Sequence, residues 1–258
     1  MLRGLYTSAL GMTTQMNRMD VIANNIANVN TTGFKRDRVI TQSFTDELMR
    51  FVNPDPVDPP SLLPLRGSSP VGRMSLGLAV DRLDTDFTDG SLSATGGTFD
   101  MAINGPGFFV VEHNGQERLT RDGAFTLSPE RVLITKDGLP VLGADGNSIV
   151  VPDGMVGITT AGAIYVNGEL VDTLRVVDFE DTTALRKHGR NLWSATSGAT
   201  EIPFSGLVQQ GMLELSNVNI IREMVEMIEI SRTFEANQRM ISVIDGTMQL
   251  AANDIGRK

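Results

Sequence analysis

His113 and His188 are the only histidines among 258 residues, and there is no cysteine. A Cys–His pair is therefore impossible, and thiolate metal sites and disulfides are excluded. His113 sits beside a turn dipeptide and His188 in a basic loop, so both read as surface residues. With no second histidine near either along the chain, no metal site is expected. The acidic cluster Asp81, Asp84, Asp86 and Asp89 invites a calcium reading. As an EF-hand loop it fails at the required Gly and at the closing bidentate Glu, which leaves a solvated acidic turn. Gly105-Pro106-Gly107 and Gly96-Gly97 lack the Lys-Ser/Thr ending and the following helix of a phosphate loop. Asn30-Thr31-Thr32 matches a glycosylation sequon, a three-residue pattern of high chance frequency. Carboxylate pairs for glycoside hydrolysis are not visible in sequence, and nothing singles one pair out. No catalytic residue, cofactor or metal is expected.

Composition narrows the class further. The net charge of −9 argues against nucleic acid, whose phosphates need a basic surface. It argues equally against an anionic membrane surface. No basic region followed by an apolar stretch marks a Sec-type signal peptide. No run approaches ~18 apolar residues, so no membrane insertion is expected. Glycine, 26 of 258 residues, is about 10% against a usual share of roughly 7%, which favours a turn-rich fold.

The elements that must position any site are long helices at both ends and β-structure between them. Leu2, Leu5, Ala9, Met12, Met16, Met19, Ala23 and Ile26 follow alternating steps of three and four, a heptad seam. The segment Asn24 to Asn30 and then Gly33 end this helix, which at ~1.5 Å per residue is about 40 Å long. Toward the other end Ile220, Met224, Met227, Phe234, Ile241, Ile244, Met248, Ala251 and Ile255 draw a second seam. It has polar gaps at Ser231 and Gln238 and a slip between Ile241 and Ile244. Ile220-Ile221, Met224-Val225 and Met227-Ile228 widen its apolar face beyond a two-helix seam, which favours burial between molecules over packing within one domain. Ser216 or Asn217 caps this helix.

Between the helices, Phe44, Leu48, Met49 and Phe51 form a short amphipathic stretch. Residues 53–72 hold six of the 11 prolines and read as a linker or as an arm that orders on a neighbouring subunit. Turn pairs then recur at Asn104-Gly105, Asn114-Gly115, Asp122-Gly123, Asp137-Gly138, Asp145-Gly146, Asp153-Gly154 and Asn167-Gly168. They separate short apolar runs and predict an antiparallel sandwich or barrel-like body. Trp193 is expected as an anchor within its second lobe.

Four segments resemble one family. Residues 23–35, with Asn24, Asn25, Asn28, Gly33 and Phe34, are similar to the N-terminal signature of bacterial flagellar rod and hook proteins. Residues 5–12 look like the opening helix of its distal-rod branch. Residues 99–109 followed by 119–125 resemble that family's β-domain, and residues 210–219 the entry to its C-terminal helix. The resemblance implies an α+β protein whose terminal helices pair as a coiled coil below a central antiparallel β domain. The expected divisions are an N-terminal axial helix (1–35), a Pro-rich arm (36–80), a β domain (81–212) and a C-terminal axial helix (213–258). It implies a structural subunit of the flagellar basal-body rod, with copies of itself, related rod and hook proteins and the flagellar export apparatus as partners. Export without a cleaved signal peptide follows from the same resemblance. The expected assembly interface is the N-terminal seam with Ile220, Met224, Met227, Ile228, Phe234, Ile241, Ile244 and Met248. Two rivals remain at this level: a trimeric fibre or phage-tail-like adhesion module, and a carbohydrate-active enzyme with a β-sandwich body.

Overall fold

The structure, a computed structural model, describes residues 2–43, 77–189, 191–196 and 198–255. The Pro-rich stretch 53–72 and Phe44, Leu48, Met49 and Phe51 lie outside the described residues, as do the side chains of Leu2 and Ile255. The chain divides into two compact units. One holds Met1–Asn24, Arg38–Asp84 and Ile221–Lys258; the other holds Asn25–Asp37 and Thr85–Ile220.

In the first unit, helices α1 (Leu2–Ala27) and α2 (Ile220–Ile255) run antiparallel. A Cβ placed on Gly4 would meet Ile244 Cδ1 at 3.2 Å, and one on Gly11 would meet Asn237 Nδ2 at 3.2 Å. Arg18 pairs with Glu226 at 2.9 Å. As α1 advances, its partner on α2 retreats. At both glycines the nearest atoms are side-chain ends of α2, so the small residues leave room for Ile244 and Asn237 to lie against α1. Beside the helices run β1 (Asp37–Ser43) and β2 (Leu78–Thr85), which pair with each other. Thr14 Oγ1 donates to the Leu78 carbonyl at 3.2 Å, so α1 also faces this ribbon. Neither helix among the described residues is long and apolar enough to cross a membrane.

The second unit is an antiparallel β body of short strands. They are β3 (Leu92–Ala94), β4 (Met101–Asn104), β5 (Phe108–His113), β6 (Gln116–Thr120), β7 (Phe125–Leu127) and β8 (Leu133–Thr135). After them come β9 (Val156–Ile158), β10 (Ala163–Val166), β11 (Glu169–Thr173) and β12 (Val176–Phe179). The last are β13 (Leu185–Gly189), β14 (Leu192–Ala195), β15 (Glu201–Ile202), β16 (Leu207–Gln210) and β17 (Met212–Glu214). The largest sheet has the order β13-β14-β6-β5-β12-β15, and a second has β11-β10-β9. Pairs β16–β4, β17–β3 and β7–β8 complete the body.

Strand β5 is buried on both faces and divides two cores. Phe109 and Val111 point into one, with Met101, Leu133, Ile149, Ile164 and Val208. Phe108 and Val110 point into the other, with Leu119, Val177, Phe179 and Trp193. Because side chains alternate along a strand, four consecutive apolar residues are what a strand with no wet face requires. Trp193 is the expected anchor: its ring lies 6.0 Å from Phe87 and 5.8 Å from Phe108 between centroids. The turn pairs behave as predicted at the hairpin tips. Asn114 and Gly115 have φ of 53° and 73°, and Asn167 and Gly168 have 53° and 87°. Asp122-Gly123 differs: Gly123 admits no side chain because a Cβ there would strike the Met101 carbonyl.

Replacing Gly11 with Leu should force α1 and α2 apart and speed amide exchange in both helices. Exchange in β5 and β6 should not change. Unaltered protection of α1 would show that the close approach at Gly11 does not hold the pair.

Candidate functional site

The most heavily engineered place in the second unit is where the segment after α1 enters the β body. Asn25 holds both backbone groups of Asp37: its Nδ2 donates to the Asp37 carbonyl at 2.9 Å, and the Asp37 amide donates to its Oδ1 at 3.1 Å. A side-chain amide thereby stands in for a strand partner. Gly33 has φ of 65°, and its N–H donates to the Glu214 carbonyl at 2.8 Å. A side chain there would fall on the Arg121–Asp122 peptide. Thr32 Oγ1 donates to Asp122 Oδ1 at 2.6 Å. Phe34 is buried, and Lys187 Nζ stands 4.3 Å above its ring while also pairing with Asp37 at 2.7 Å. Asn28 accepts a hydrogen bond from Thr31 Oγ1 at 3.2 Å and shapes the turn. Asn24 lies exposed on α1.

At the centre is Lys35. Its side chain is 1% exposed and its Nζ is 2.6 Å from Glu214 Oε1, itself 1% exposed. Arg121, 3% exposed at the side chain, brings Nε within 3.2 Å of Glu214 Oε2 and Nη2 within 2.6 Å of Asp89. The guanidinium also donates to the Gly107 carbonyl at 2.7 Å and the Gly105 carbonyl at 2.9 Å. Lys35 Nζ donates to the Thr88 carbonyl at 2.8 Å, and the Gly90 amide donates to Glu214 Oε1 at 2.9 Å. Asn217 Oδ1 accepts from the Arg36 amide at 2.8 Å. Two cations thus face two carboxylates; main-chain groups meet Lys35, Arg121 and Glu214 Oε1, while Glu214 Oε2 is approached only by Arg121 Nε. Burial holds the Lys35 ammonium below its usual pKa, with Glu214 opposing that shift.

Every segment that carries the family resemblance in this unit contributes a member: Lys35, Gly105 and Gly107, Arg121 and Asp122, Glu214 and Asn217. Sequence reading missed this cluster. The acidic turn keeps much of its exposure, Asp89 54% at the side chain, but Asp89 also binds Arg121 and Asp84 pairs with Arg38 at 3.5 Å. The available signal was the alternation in Met212-Leu213-Glu214, where the charged residue is the fully buried one. The cluster can lock a loop but offers no free nucleophile or open coordination position. Among the described residues no group of three or more acidic or His side chains is placed to hold a metal. The two histidines, expected apart, have ring centroids 6.3 Å from each other.

In the first unit the predicted seam residues occupy a different side of α1 from the one that meets α2. The contacts with α2 fall at Gly4, Gly11 and Arg18, and helical spacing puts Ser8, Gln15 and Ile22 on the same stripe, one residue behind the seam. One residue is about 100° of helix rotation. Ala9, Met16 and Ala23 are exposed, Met16 by 54%, and Leu5, Met12, Met19 and Ile26 are half-buried. On α2 the sheltered positions are Glu223, Met227, Ile230, Phe234, Asn237, Ile241, Ile244 and Met248. They keep steps of four and three throughout, so the slip disappears; Ile230 fills the gap expected at Ser231, while Asn237 and Glu223 keep the stripe partly polar. Ile220, Met224 and Ile228 are exposed, Ile228 by 55%, on other sides of the helix.

Gly33→Ala should cost about 1–3 kcal/mol from its left-handed backbone alone, before the collision with the Arg121–Asp122 peptide is added. Chemical denaturation of the β body measures it, and an unchanged midpoint would contradict the tight approach. Asp122 tests the electrostatics. Burial raises its pKa, so the folded state holds its proton more strongly than the unfolded chain. Its contribution favours folding in acid and is lost as pH rises through the raised value. Asp122→Asn, which keeps an acceptor for Thr32 and the Ala124 amide, should match or exceed the parent's Tm at neutral pH. That difference should close on acidification; a gap that widens in acid would reverse the sign.

Comparison with known proteins follows the same four segments. Residues 5–35 match the model described as flagella basal body rod protein. Residues 102–167 match the flagellar hook protein FlgE/F/G D1 domain, and residues 209–254 the flagellar basal body rod FlgEFG protein C-terminal. The flagellar basal-body rod protein FlgF of Caulobacter vibrioides is 37% identical over 261 residues, covering 98% of this chain and 96% of that protein. FlgG of Buchnera aphidicola is 33% identical, covering 96% of this chain and 98% of that protein. FlgG of Bacillus subtilis is 32% identical over 98% and 99%. Similarity at this level, end to end, means that the chain belongs to the flagellar basal-body rod protein family.

Proposed function

We propose that this chain is a structural subunit of the flagellar basal-body rod, working through packing rather than catalysis. Its terminal helices pair as a coiled coil and polymerise with further copies into a hollow shaft that transmits torque. The observation that carries this reading is the division of faces on the helices. Apart from Ile22, the face α1 turns to α2 is small and polar, while its uninterrupted apolar seam is left half-covered or open. On α2, Ile228, Met240 and Val243 lie exposed away from the sheltered stripe. A monomer gains nothing from two such surfaces, whereas a helix wedged among several neighbours buries both. Each large apolar side chain so buried contributes about 1.5–3 kcal/mol before the cost of ordering is subtracted. A contact whose rotation does not close builds a filament rather than a ring.

Related rod and hook proteins are the natural neighbours along the axis, since full-length relatives bear rod names. The route to that place is the flagellar type III apparatus with the N-terminus retained. The residues assigned to contacts between copies are the α1 seam from Leu5 to Ile26 with Ile220, Met224 and Ile228. Met227, Phe234, Ile241, Ile244 and Met248 serve the pair within one copy.

Met16→Asp and Ile228→Asp should each block polymerisation and leave the β body folded by circular dichroism and amide exchange. Sedimentation velocity over a concentration series separates the outcomes. Open-ended polymers of the parent that vanish in both variants support the shaft. A discrete trimer of the parent, or normal polymers from both variants, would overturn it.

A further inference from the structure

We propose that His113 and His188 form a two-imidazole site for a divalent transition-metal ion of the Zn2+ or Ni2+ type. His113 ends β5, and His188 lies in the irregularity between Lys187 and Gly189 on β13. The residues are far apart in sequence, yet their rings stand 6.3 Å apart between centroids and 68° between planes. A metal–nitrogen bond of about 2.0–2.1 Å puts an ion about 3.2 Å from the centroid of each ring it binds. One ion can therefore join two rings whose centroids are up to about 6.4 Å apart, and a bent arrangement needs a closure of about 1 Å. The observed spacing falls within that reach, and small rotations of two surface rings supply the rest.

Asn114 Nδ2 stands 3.2 Å from His113 Nε2 in an exposed contact that an ion bound at that nitrogen would displace. Lys187, the cation next to His188, is engaged by Asp37 at 2.7 Å. Two protein donors leave the remaining positions to water, so the site is a modest one that exchanges its ion. Its structural effect is a link between the end of β5 and β13, the strand that carries Lys187. Binding requires neutral imidazoles and fades on acidification.

The test is Zn2+ titration of the full-length protein, followed by calorimetry and by the imidazole C–H resonances. One ion should bind saturably and shift both histidines together, and Zn2+ should raise the melting temperature of the β body. H113Q and H188Q should each weaken binding at least about tenfold, as loss of half a chelate requires, and abolish the thermal shift. Parent affinity retained by either variant, or no uptake by the parent at millimolar Zn2+, would overturn the site.

Discussion

The second unit is organised by one constraint: a carboxylate buried to 1% exposure must keep its cations. Removing one member of a buried ion pair strands the other, at a cost of about 3–5 kcal/mol, although the intact pair adds little net stability over an apolar filling. The value of such a cluster is therefore specificity. Glu214 lies on β17, Lys35 in the segment after α1, and Arg121 after β6, and none is satisfied unless all three arrive. The loops that bring Thr88, Gly90, Gly105 and Gly107 to the same point are drawn in by their main-chain groups. Alternative placements of the N-terminal segment leave buried charge unpaired, which selects one geometry for the chain's exit from α1.

The helices obey a different economy. Gly4 and Gly11 leave room for Ile244 and Asn237 of α2, and Ile22 and Ile230 are buried. The apolar seam of α1 stays half-covered or open. Within the β body the reverse holds. Strand β5 gives both faces to separate cores, so the body closes its main cores within one copy, although Met155, Leu170 and Leu207 stay exposed. The same chain thus combines a self-sufficient unit with one that completes its burial in company.

Much of this was legible in the residues. Heptad steps marked both helices, Asn-Gly pairs marked the β5–β6 and β10–β11 tips, and four motifs marked the family. Local rules reach these features because helix period, turn conformation and short motifs depend on neighbours in sequence. Rotational register escaped them. The apolar seam on α1 is real, but the face used by α2 is offset by about 100°, where Gly4 and Gly11 leave room for side chains of α2.

The residues by themselves determined the two terminal helices, the turn-rich body, the absence of thiol chemistry and the resemblance to rod proteins. Only the tertiary structure decided that Lys35, Asp89, Arg121 and Glu214 meet, that the half-exposed Asp89 is tied to Arg121, and that His113 and His188 are neighbours. The physical reason is range. Hydrophobic period and turn preference are written within a few residues, whereas a charge finds its partner wherever folding leaves one. Lys35 and Glu214 are 179 positions apart, and only the closed β body brings them within 2.6 Å.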